Sequence, residues 1–100
     1  MANMSLLEFI NKNDYCIVFV IDSNHFSSKL FEERLSKIQI GVQYLLVELS
    51  EVKYFAEYFN LVIVPTTLFF KSGNLIGKLQ GLVNSDNLTA SIEFYRKIEE

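Results

Sequence analysis

His25 and Ser28 stand three residues apart, close to one helical turn, so both side chains could share one helix face. An imidazole beside a hydroxyl is the beginning of a hydrolytic nucleophile–base pair. Such a pair also needs an orienting acid and an oxyanion hole, and no sequence feature supplies either. His25 alone could be a base or a metal ligand. No Asp, Glu or second His stands at ligand spacing, so no metal site is expected. Ser27 and Ser28 are also ordinary helix-start residues. The only cysteine, Cys16, opens an apolar run. A thiol becomes a nucleophile in an exposed, electropositive setting, whereas a cysteine within apolar surroundings is inert. A single cysteine excludes an intrachain disulfide and any multi-cysteine metal site. No catalytic residue is assigned and no cofactor is expected.

The elements that must position these residues follow from the pattern. Ser5 can cap a short helix over Leu6 to Asn11, and Asn13-Asp14 marks a turn. Tyr15 to Ile21 is a continuous apolar run, which predicts a central strand buried on both faces. Asp22 to His25 ends it, and a helix runs from Phe26 or Ser27 to Ile40, with Leu30, Phe31, Leu35 and Ile38 on one stripe. Gly41 fits its left-handed closing residue. Gln43 to Leu49 is the next strand. Ser50 caps a helix over Glu51 to Phe59, in which Val52, Phe55, Ala56 and Phe59 recur at helical spacing. Tyr54 and Tyr58 lie on its less apolar side, where they could form a partner surface, although half-buried tyrosines that finish a core are the commoner case.

Pro65 is the only proline. It has no N–H for a ladder, so Val64-Pro65 is read as a tight turn and a candidate cis bond. A buried strand follows from Thr66 to Phe70. Lys71 to Asn74 makes a hairpin turn, and Leu75 to Gln80 is the partner strand. Gly81 permits a close approach or a bulge. Ser85 or Asp86 caps the last helix, with Leu88, Ile92 and Tyr95 inward.

The order is α-β-α-β-α-β-β-α. Helices between successive strands imply parallel crossovers, and the late hairpin adds an antiparallel strand. The expected fold is α/β, a mixed sheet with helices on both faces, in one domain over residues 1–100. A net charge of −3 argues against phosphate-driven nucleic-acid binding. No apolar run approaches the ~20 residues of a membrane span, so no membrane partner is expected. Residues 1–11 lack the basic start and long apolar middle of a signal peptide, which makes the cytoplasm the expected location. Half the residues are hydrophobic and 14% are aromatic, which leaves a homodimer open.

This order, with Val64-Pro65-Thr66, resembles the thioredoxin family. Val64 to Asn74 is similar to that family's cis-proline segment, strand and hairpin. Gly81 to Leu88 is similar to its glycine bulge and last helix. Cys16 to Leu35 is similar to its central strand, active-site loop and following helix. The resemblance implies a thioredoxin-like sheet of four strands, or five if residues 1–4 hold a remnant of the family's first edge strand. Anchored on Lys29, the redox Cys-x-x-Cys falls on His25-Phe26-Ser27-Ser28, a relic active-site loop without a thiol. The family's buried acid falls on Phe19 and its lysine partner on Leu46, so both interior positions are expected to be apolar packing. The resemblance therefore implies a redox-inactive domain, more a binding or assembly module than an enzyme. Its partner would be a protein or extended peptide, paired to the backbone at Val64 beside Pro65 and Thr66. Phe26 would add an apolar contact, and Asn84 and Ser85 would line the rim. The alternative is an enzyme that uses glutathione, held by a serine at the helix start, or thiol chemistry at Cys16.

Overall fold

The computed structural model describes residues 2–98, with side chains from residue 6 onward. The elements are α1 (Ala2–Lys12), β1 (Tyr15–Ile21), α2 (Phe26–Leu35), β2 (Gln43–Glu48), a 3-10 turn (Leu49–Glu51), α3 (Lys53–Tyr58), β3 (Thr66–Lys71), β4 (Asn74–Gln80) and α4 (Ser85–Arg96). The sheet has the order β2-β1-β3-β4. β1 and β2 are parallel, and β3 is antiparallel to both β1 and β4. This is a mixed four-stranded α/β sheet with helices on both faces.

β1 is apolar on both parities because both of its faces are covered. Cys16, Val18 and Val20 pack with Leu6 and Ile10 of α1 and with Phe55 and Ala56 of α3. Ile17, Phe19 and Ile21 pack on the other side with Phe31 and Leu35 of α2 and Leu88 and Ile92 of α4. In the hairpin, Ser72 and Gly73 both have positive φ, 51° and 84°, as the two-residue turn that matches strand twist requires.

Several local expectations are corrected. α1 already occupies residues 2–4, so no fifth strand forms there, and Ser5 lies inside the helix rather than at its cap. α2 stops at Leu35, well short of Gly41. There the Ser36 hydroxyl donates to the Glu33 carbonyl, and the Lys37 and Ile38 amides bond three residues back, which tightens the last turn and ends the helix. Ser50 belongs to the 3-10 turn and does not cap α3, whose N-cap is Val52. α3 closes through Asn60, at φ 57°, with the Leu61 amide bonded to the Ala56 carbonyl. Asn84, not Ser85 or Asp86, caps α4: its side chain accepts from the Asn87 amide at 2.7 Å.

The crowded glycine is Gly77, where a Cβ would run into the Tyr95 ring. Gly81 has open space around it and is required instead by its φ of 85°. The irregularity in the hairpin ladder also lies near Gly77, opposite Phe69 and Phe70. Tyr54 and Tyr58 are exposed rather than half-buried. They flank a cleft of about 450 Å³ between α1 and α3, lined by Leu7, Phe55 and Phe59. Leu46 is 38% exposed, whereas Phe19 beside it in the register is fully buried. The two residues are neighbours, as the sequence placed them, but β2 is an edge strand and leaves Leu46 partly uncovered.

Candidate functional site at one end of the sheet

The register brings the site together. Val20 pairs with Thr66 and Thr66 with Gln80, so the loops after β1, before β3 and after β4 meet at one end of the sheet. The loop after β1 is held by its own polar groups. Ser28 is fully buried, and its hydroxyl accepts the Asp22 amide at 3.0 Å. Asp22 in turn accepts from the Asn24 amide through Oδ1, an Asx turn. Its other oxygen lies 3.5 Å from His25 Nε2. The sequence reading passed over this acid, although it stands three residues before His25, because it treated Asp22 only as the end of the strand; the turn closed by the His25 amide on the Asp22 carbonyl brings the two side chains together.

The two-residue contact between Asp22 and His25 does not complete a hydrolytic site. The Ser28 hydroxyl faces Asp22 and is closed from solvent, so it is a positioning group for the loop. His25 is the N-cap of α2 with extended backbone and no side-chain cap bond. Among the described residues, no group of three or more His, Cys, Asp or Glu side chains could hold a metal ion. Cys16 lies at the opposite end of β1, five residues from Ile21, or about 17 Å at strand rise. It is fully buried, and burial pushes its thiol up to about 11. Phe19 fills the interior behind the loop, edge-on to Phe31 at 5.6 Å.

The Val64–Pro65 peptide bond is cis. Pro65 and Thr66 are buried, and the Thr66 hydroxyl donates to the Ile63 carbonyl. The Pro65 carbonyl accepts the Gly81 amide at 2.7 Å, tying this loop to the one after β4. Among the described residues, neither the N–H nor the C=O of Val64 has a hydrogen-bond partner. The surroundings are apolar and open. Phe26 is 74% exposed and Val62 79%, with Ile63 and Leu82 also exposed. The exposure of Val62, Ile63 and Leu82 was not legible: an apolar run reads as buried unless the covering element is known. Asn84 and Ser85 lie at the start of α4, where the Asn84 oxygen is taken by its cap bond.

No protein-family model and no curated protein matches the chain. Solved structures do match. A mutant thioredoxin from Halobacterium salinarum NRC-1 superposes with a TM-score of 0.84 at 19% identity, over 97% of this chain and 88% of that one. This chain is thioredoxin-like. The oxidised thioredoxin of Plasmodium falciparum matches at 26% identity and a TM-score of 0.75, over 92% and 90% of the two chains. Thioredoxin f2 of Chlamydomonas reinhardtii matches at 14% identity and 0.82, over 97% and 94%. Within the thioredoxin-like fold, His25 to Ser28 are the N-cap and first turn of the helix that follows the first strand. With one cysteine in the sequence, that stretch holds no Cys-x-x-Cys pair. Among the described residues no helix is long and apolar enough to cross a membrane.

Proposed function

We propose that this thioredoxin-like chain is a redox-inactive module that binds an extended stretch of another protein across the end of the sheet. The observation that carries the reading is the unpartnered backbone of Val64 within an exposed apolar rim. An unpaired N–H and C=O at the surface are the groups that β-augmentation uses, and they need no thiol. The exposed side chains of Phe26 and Val62, in the loops that meet at this end of the sheet, would add apolar contacts. Ser85 and the side-chain amide nitrogen of Asn84 would line the rim. Of the alternative's two forms, thiol chemistry is disfavoured by the burial of Cys16 and its raised pKa, and glutathione held at the helix start by the burial of Ser28, whose hydroxyl is taken by the Asp22 amide.

The test begins with peptides selected from a random displayed library and maps them by amide chemical shifts. The expected perturbations fall on residues 26, 62–65 and 82–85, and binding is lost in Phe26→Ala and Val64→Asp. Shifts confined to another face overturn the binding reading. In parallel, insulin reduction by dithiothreitol should run no faster with the protein than without it. Native Cys16 should resist thiol labelling until denaturation. Faster reduction, or rapid labelling of the native thiol, overturns the redox-inactive reading and returns the enzyme alternative.

A further inference from the structure

β2 is an edge strand, and its one charged residue, Glu48, stands at its last position. No residue from Val42 to Val47 is charged, none is proline, and its ladder with β1 runs without a bulge. On the face shared with Phe19, Tyr44 is 47% exposed and Leu46 38%. They stand at i and i+2, so they point to the same side of the sheet. We propose that this edge pairs with β2 of a second copy of the chain, antiparallel, about a two-fold axis at Leu45, to give a continuous sheet through the dimer.

The choice of a second copy rests on self-complementarity. A two-fold axis perpendicular to the sheet keeps both copies' faces aligned only when residues of the same parity oppose each other. Centred on Leu45, that rule sets Tyr44 of each copy opposite Leu46 of the other, an aromatic–aliphatic pair formed twice. Gln43 falls opposite Val47. Glu48 falls opposite Val42, so the two Glu48 carboxylates lie at opposite ends of the junction and no like charges meet. A strand whose only charge is Glu48 at its end offers a charged peptide little to pair with, whereas it offers its own copy two matched apolar pairs and a ladder of main-chain bonds. The junction lies at the edge of the sheet and leaves the Val64 loop free, so it stands independently of the proposed peptide binding.

Sedimentation equilibrium from about 10 μM to about 1 mM tests the proposal. The average mass should rise from one chain toward two. Leu46→Lys places a charge on the exposed side of the edge and should weaken association at least about tenfold. Phe26→Lys, at the other apolar surface, should leave it unchanged. Amide hydrogen exchange across the same concentrations should slow for alternate residues between 43 and 47. A wild type that stays at one chain's mass throughout overturns the proposal, as does a dimer indifferent to Leu46→Lys or abolished by Phe26→Lys. If Leu46→Lys does not fold, the exchange measurement decides: protection that grows with concentration at residues 43–47 upholds the pairing, and unchanged exchange there overturns it.

Discussion

Phe19 has no solvent exposure and meets Phe31 and Tyr44 edge-on, each at 5.6 Å between ring centres. Its burial was legible because the run from Tyr15 to Ile21 is apolar on both parities, which a strand accepts only when both faces are covered. Leu46 was not legible in the same way. Leu45-Leu46-Val47 has the chemistry of a buried strand, and only its place at the sheet edge leaves Leu46 part open. The two residues are therefore expected to behave differently. Phe19→Ala should lower stability by about 3–5 kcal/mol, the range for a buried aromatic. Leu46→Ala should lower it by less than about 1 kcal/mol. Urea denaturation of both variants measures the contrast, and near-equal losses would contradict the placement of β2 at the edge.

At the scale of elements, the join between β4 and α4 depends on one missing side chain. Gly77 lies under the Tyr95 ring, which is held against Phe69 at 4.6 Å between centres. A methyl group there forces the ring away from Phe69 or lifts α4 from the sheet. Gly77→Ala is expected to cost about 1–3 kcal/mol, as overpacking does. Because the cost arises from one pair, it should largely vanish in a Tyr95→Ala background, and a double-mutant cycle reads that coupling. Additive losses would mean that the ring is not what limits the site. The C-terminal end of α4 is tied to β3 by Lys71, whose ammonium donates to the Arg96 carbonyl at 2.7 Å and to that of Ile98. A cation at those last carbonyls also suits the negative end of the helix. At the other end of α4, Arg34 donates to the Val83 carbonyl at 2.7 Å, which ties α2 to the loop after β4.

For the whole molecule, a buried thiol and a half-buried phenol make stability depend on alkaline pH. Desolvation raises Cys16 from 9.0 to about 11. Burial likewise raises Tyr15 from 10.0 to about 12, with its hydroxyl donating to the Ile92 carbonyl. Both groups release their protons in the unfolded chain before they do so in the native one. Their stabilising contribution is therefore complete below about pH 9 and is lost as pH rises through 11 and 12. The slope from Cys16 is at most about 1.4 kcal/mol per pH unit. Urea denaturation between pH 8 and pH 11 should show this decline, and Cys16→Ala should make it shallower at the lower end of that window, where tyrosine has yet to titrate. An unchanged slope in the variant would show that the thiol ionises in the native protein as readily as in the unfolded chain.

The sequence by itself determined the order of elements, the central place of Tyr15–Ile21, the break at Val64-Pro65 and the hairpin at Ser72-Gly73. Each of these is set by neighbouring residues: period, β-branching, a missing N–H, or a permitted positive φ. The tertiary structure decided which strand lies at the edge, which glycine is crowded and which apolar residues stay open. It also turned Ser28 from a helix-start residue into a clasp on Asp22, and it brought that acid to His25. Exposure and pairing depend on what chain distant in sequence covers a face. Val62 and Val18 are the same residue in similar apolar runs, yet one faces solvent and the other has no exposure, because helices cover both faces of β1, whereas the loop before Pro65 turns Leu61 and Val64 to the core and leaves Val62 outside.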